Sequence, residues 1–192
     1  MKMENTGNNV EESGCVASED VGEKSSQWKK SHFCFMVCVG IFIGVVLKLF
    51  VVDLLHVSGR SMMPSIKDGE TIVVNKLAYG IVKPYGDSLL VQWSEPKSGD
   101  VVIYLYNDKI VVKRCVAVGG DLLEYSINPL YTLEIDGDGI PLNEVQYHNL
   151  KDSKYVPDGY ILAVGDNYEE SVDSRTYGFV STKNILGKVL CK

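Results

Sequence analysis

The chain carries no CxxC pair, no surplus of basic residues and no complete calcium loop, and each absence removes a class of function. Lys and Arg number 19 against 25 Asp and Glu, for a formal charge of −6. Phosphate backbones need a basic surface, so nucleic acid is excluded as the main partner. The five cysteines (Cys15, Cys34, Cys38, Cys115, Cys191) are odd in number, which argues against a zinc site or a disulfide framework. Cys34 and Cys38 are four apart, share a helix face and read as small buried hydrophobes. Whether Cys115 and Cys191 pair is left open. The run EIDGDGIPLNE lacks the third acidic ligand position and the twelve-residue spacing of an EF-hand, so it reads as a hairpin turn. No metal and no cofactor is expected. No small-x-small cleavage site follows the apolar run, where Leu47-Lys48-Leu49-Phe50 stand, so a removable leader is disfavoured.

What is present divides the 192 residues into three parts. Residues 1–27 are polar, acidic and without apolar periodicity, and the tail expected to be disordered extends to residue 32. Residues 33–52 are apolar except for Lys48, the length of one membrane span at about 20 residues and ~30 Å. Lys48 is one turn from the far end, within snorkelling reach of the interface. Trp28, Lys29 and Lys30 flank the near end as an interfacial aromatic and inside-facing basic residues would. The expectation is a single-pass anchor in the cell membrane, with the N-terminus cytoplasmic and residues 53–192 outside.

From Val57 onward the pattern changes to short β-branched or aromatic runs: TIVVNKLAY, DVVIYLY, KIVVKRCVAV, YTLEI, YILAV and KVLCK. Gly, Pro, Asp and Asn separate them. This punctuation predicts a mainly antiparallel β domain with little helix.

Four stretches of this domain can carry chemistry. Ser61 follows a turn containing Gly59 in VSGRSMMPS. In DKIVVKRCV, strand alternation puts Lys113 on the face of Val111 and Cys115 and turns Arg114 the other way. A lysine on an apolar face is costly unless neutral or paired; the competing expectation is an exposed edge-strand lysine. Gly119-Gly120-Asp121 reads as a tight turn. GDNYEESVDSRTYGFV, from Gly165, is dense in small polar residues and reads on its own as a self-bonded polar loop.

In this order and behind one apolar span, these stretches resemble the type I signal peptidases over roughly Val46 to Gly187. SGRSMMPS resembles the nucleophile box, GETIVVNKLAYG and KSGDVVIY the two boxes that follow, VVKRCVAVGGD the lysine box, and GDNYEESVDSRTYGFV the last. The resemblance implies a β-rich peptidase domain outside the membrane. It implies cleavage of signal peptides from exported precursors after small residues at −1 and −3. It carries Ser61 over as nucleophile, Lys113 as general base and Ser171 as the serine that hydrogen-bonds the lysine amine. Asp173 and Arg175 match a pair that braces the site, beside Asp166 and Asn167. Val57, Met62, Ile66, Val111 and Val112 would line shallow apolar pockets. Gly59 stands where a second oxyanion donor, a serine, is frequent, which leaves the Ser61 backbone N–H as the main donor.

For such a dyad the amine must be neutral, so burial must lower its pKa and no carboxylate should lie beside it. Implied partners are signal-peptide-bearing precursors, the lipid bilayer, and the secretion or pilus-assembly machinery. Three rivals remain. A self-cleaving repressor would carry a DNA-binding segment where this chain has its acidic tail and apolar span. A signal-peptidase-like pilus-assembly factor with little or no cleavage is disfavoured by the presence of Ser61, Lys113 and Ser171. A secreted β domain with a binding role does not account for the ordered boxes.

Overall fold

The computed structural model describes the backbone of residues 20–83, 86 and 88–191, with side chains from His32 onward except Leu49. The chain divides after Gly44 into two units. The described part of the first is helix, from α1 (Asp20–Val46), whose last two residues fall in the second unit. Of the tail expected to be disordered, residues 1–19 lie outside the described residues, while Asp20–His32 are helical. The helix has no polar face beyond residue 32: Phe33, Phe35, Met36, Ile41, Phe42 and Ile43 are all exposed. The run expected to form one span from 33 to 52 is divided. The α-helix ends at Val46, Leu47–Val51 form a π-helical turn, and Val52 opens the first strand. Two physical reasons favour this ending: Val45, Val46, Val51 and Val52 are β-branched and gain little from a helix, and sheet pairing takes over the backbone at Val52. Among the described residues no helix is long and apolar enough to cross a membrane.

The second unit is the mainly antiparallel β domain that the strand-and-turn pattern predicts. Its principal sheet contains β1 (Val52–His56), β2 (Thr71–Asn75), β5 (Val101–Tyr106), β6 (Lys109–Val118), β10 (Tyr160–Val164), β11 (Val180–Ser181) and β12 (Ile185–Cys191). The spatial order is β1-β2-β12-β5-β6-β10-β11, and every pairing is antiparallel. A small hairpin of β3 (Gly80–Val82) and β4 (Leu89–Gln92) stands apart, as does a meander of β7 (Glu124–Ser126), β8 (Thr132–Ile135) and β9 (Asp138–Pro141). Asp136 and Gly137, both at positive φ, turn β8 into β9, so the EIDGDG run is a hairpin of the primed-turn kind.

Two short helices complete the unit, α2 (Glu144–Leu150) and α3 (Ser174–Tyr177). The sequence leaves the fold of residues 122–160 open beyond hairpins, and α2 lies within them. Its cause is local: Asn143 accepts from the Gln146 N–H at 2.8 Å while the Gln146 side chain accepts from the Asn143 N–H at 2.9 Å, a capping box. Cys115 is buried and Cys191 exposed, and both are free.

β6 carries Lys113 and Arg114. It is hydrogen-bonded to β5 on one side and β10 on the other, so Lys113 is on an interior strand, opposite Val102, and the edge-strand expectation is excluded. Alternation buries Lys113, Cys115 and Ala117 in succession. Beneath the Ser61 turn, Val57, Met62, Ile66, Ile72, Val74, Ile103 and Leu186 form one apolar cluster.

Candidate active site

The Ser61 turn is held at both ends by the backbone. Val57 N–H donates to Glu70 O and Gly69 N–H to Val57 O, each at 2.9 Å, so the loop leaves and rejoins the sheet at one point. Inside it, Met63 N–H donates to Arg60 O and Ile66 N–H to Met62 O. Gly59 has φ +109°, a conformation that side chains disfavour, and its N–H donates to Asp68 Oδ1 at 2.8 Å. The apolar anchors of the turn are Met62 and Ile66, buried to 1 % and 4 % exposure.

This turn lies against β6, and Ser61 Oγ and Lys113 Nζ are 2.7 Å apart. The Lys113 side chain is only 4 % exposed. Desolvation holds its amine below the ordinary lysine range. Asp173 and Asp166 oppose that effect at longer range and Arg175 reinforces it. Among the described residues no ion pair reaches Lys113, as a neutral base requires.

The loop after β10 locks the turn from the other side. Asn167 N–H donates to Ser61 O at 3.0 Å and its side-chain amide to Arg60 O at 3.2 Å. Asp166 accepts two hydrogen bonds from Arg114, Nε at 2.8 Å and Nη2 at 2.7 Å, and Arg114 Nη1 donates to Gly99 O. Burial raises the Asp166 pKa, but hydrogen bonds from Arg114 and Ser65 outweigh it and hold this carboxyl below its usual range. Adjacent residues of β6 thus serve opposite faces: Lys113 meets Ser61, and Arg114 ties the following loop to the strand. Sequence reading turns Arg114 away from Lys113 but gives it no partner; an opposite charge in the Gly-Asp-Asn run was the available signal.

Asp173 and Arg175 form a fully buried pair, with Nε to Oδ1 and Nη2 to Oδ2 both at 2.9 Å. Asp173 also accepts from the backbone N–H groups of Gly165 and Arg175, and so caps α3 while holding the end of β10. Arg175 further donates to the carbonyls of Pro141 and Tyr168.

Two expectations need correction. Ser171 is buried, but its hydroxyl makes no hydrogen bond among the described residues, so the bond to the Lys113 amine is absent. Its N–H donates to Asn167 O, and the turn so formed carries Oγ over Gly165. Gly165 is glycine for that reason: a β-carbon there would collide with Ser171 Oγ and the Ser61 carbonyl, a close approach invisible in sequence. Ile66 belongs to the apolar cluster beneath the turn and is not among the residues that line the cleft at Ser61. Val57, Met62, Val111 and Val112 do line, with Ser61 and Lys113, a cleft of about 260 Å³. Its walls are β1 with the start of the Ser61 turn on one side and β6 on the other.

Comparison with known proteins decides the family. The family model described as signal peptidase, peptidase S26, matches residues 28–192. The chain belongs to this family. It is 30 % identical to signal peptidase I of Bacillus caldolyticus over 79 % of this chain and 84 % of the relative. Signal peptidase IB of Staphylococcus aureus is 30 % identical over 80 % of this chain and 83 % of its own. Signal peptidase I of Pseudomonas fluorescens is 29 % identical over 77 % of this chain, which spans 66 % of that relative. The activity that goes with membership is that of a serine endopeptidase, a hydrolase.

Proposed function

We propose that this protein removes signal peptides from exported precursors through a Ser61–Lys113 dyad, from a domain tethered to the membrane by residues 33–52. The observation that carries the dyad is the 2.7 Å approach of Ser61 Oγ to a buried lysine amine that has no ion-pair partner among the described residues. An ordinary lysine has a pKa of ~10.4 and is almost wholly charged near neutrality. Desolvation shifts Lys113 toward the neutral form, which accepts the Ser61 proton.

In acylation, Ser61 Oγ forms a bond to the scissile carbonyl carbon as its proton passes to Lys113 Nζ. Collapse of the tetrahedral intermediate breaks the C–N bond, and the proton on Nζ goes to the leaving amine. Water then attacks the acyl-enzyme, Nζ takes its proton, and the proton returns to Ser61 as the acid leaves. The oxyanion needs a donor, and the Ser61 backbone N–H is the one the turn offers, since Gly59 supplies no hydroxyl.

The precursor lies as an extended strand between β1 and β6, with small side chains at −1 and −3 in the cleft of Val57, Met62, Val111 and Val112. Asp173 and Arg175 brace the loop after β10 and do not touch the reacting atoms.

The tether rests on the apolar, exposed side chains of α1 and on Trp28, Lys29 and Lys30 at its near end, which favour a cytoplasmic N-terminus and an extracytoplasmic domain. A tether keeps the site near the bilayer from which a leader emerges and raises its effective concentration. Association with secretion or pilus-assembly machinery belongs to the same reading. A purely non-cleaving role leaves the Ser61–Lys113 contact without a purpose.

The test is cleavage of an exported precursor by the full-length chain in detergent, compared with Ser61→Ala and Lys113→Ala. The reading requires a cut after a small-x-small site by the wild type and none by either folded variant. A wild type that cuts no precursor offered would overturn it.

A further inference from the structure

A second cleft, of about 480 Å³, adjoins the one that holds Ser61. Phe50, Leu77, Ile81 and Leu105 contribute apolar walls; of its three charged members, Lys76 and Asp53 pair with each other at 3.4 Å and Lys83 is the third. Leu55 and Ile110 line both clefts, so the two share a wall where β1 faces β6. Phe50 and Ile110 are 47 % and 52 % exposed, an apolar surface left uncovered among the described residues.

The direction of this continuation identifies the occupant. Ile110 precedes Lys113 by three residues on β6, about 10 Å of strand. If −1 and −3 lie in the first cleft, an extended peptide reaches the shared wall about four residues before the cut, and residues farther upstream enter the second cleft. In a leader peptide the small-x-small site follows an apolar stretch of about 7–15 residues. We propose that the second cleft receives side chains from the end of that apolar stretch, so that the protein itself, and not the bilayer alone, reads leader hydrophobicity. This inference rests on the signal-peptidase reading above.

The test uses the full-length chain in one detergent and two synthetic peptides sharing a small-x-small site. The short peptide starts about four residues before the cut; the long one adds a leucine-rich stretch of about seven residues. For the wild type, kcat/KM favours the long peptide. Ile81→Asn, in the second cleft and away from Ser61 and Lys113, is expected to lose about tenfold of that preference and to cut the short peptide as before. Because both enzymes share one micelle, partition of the peptide cancels. An unchanged preference would overturn the inference.

A second readout does not depend on the variant folding. A photoreactive group in the leucine stretch, offered to Ser61→Ala, should cross-link to Phe50, Ile81 or Leu105, and adducts confined to other regions would also overturn it. If the wild type cuts neither peptide, the proposed function fails first and takes this inference with it.

Discussion

Around Arg175, a buried cation is met inside the protein by two carboxylate contacts at 2.9 Å from Asp173, while Nη1 donates to the Pro141 carbonyl and Nη2 also to that of Tyr168. Around Lys113, an equally buried cation has a serine hydroxyl and apolar neighbours, with no ion pair among the described residues. The first arrangement fastens three segments of chain together: β10, α3 and the end of β9. The second makes ionisation expensive and leaves the amine disposed to take a proton. The first centre also acts on the second, since Asp173 and Arg175 affect the Lys113 amine with opposite signs.

Making the Lys113 centre permanently charged should have the largest effect. In Lys113→Arg the guanidinium stays protonated at every accessible pH. Cleavage should fall by at least about 10⁴-fold, measured by single-turnover kinetics, and raising the pH should not restore it. Unpairing the Arg175 centre comes next: Asp173→Ala leaves a buried guanidinium without its carboxylate and should lower the unfolding free energy by about 3–5 kcal/mol in urea titration. Gly165→Ala disturbs the seam between the centres, because the new methyl collides with the Ser61 carbonyl and Ser171 Oγ. A displacement of that kind should lower kcat/KM about 10²-fold with the urea midpoint much less affected.

The smallest effect is on stability and runs against intuition. Lys113 has its pKa lowered on folding, so between the folded and unfolded values the unfolded chain holds more protons and stability rises with pH. Below that window the cost of the buried amine is fully present. Lys113→Met should therefore be more stable than wild type at neutral pH, with the difference shrinking as pH rises toward the ordinary lysine value of ~10.4. A variant equally stable or weaker at neutral pH would show that the amine is not desolvated.

The legibility of these centres in the sequence follows their physics. Lys109–Val118 is readable because alternation and β-branching act locally, and the facing of Lys113 and Arg114 follows from period two alone. Ser61 is singled out only through the ordered boxes, since a serine after a glycine turn is common. The helix at Glu144–Leu150 rests on a reciprocal cap in a segment too short to show an apolar period. Gly165, the Arg114–Asp166 tie and the orientation of the Ser171 hydroxyl depend on contacts between segments some 50 to 110 residues apart or on one turn's path through space. Ile66 shows the same limit: an apolar residue in the Ser61 turn fits a pocket or a core equally well until the packing beneath it is known.

The most direct test of a neutral Lys113 as the base for Ser61 is the pH profile of kcat/KM for a small-x-small peptide. The account predicts a rise of one proton that levels off at an apparent pKa below ~10.4, matched by the pH dependence of amine modification at Lys113. A rise centred at or above the ordinary lysine value, or no rise at all, would contradict it.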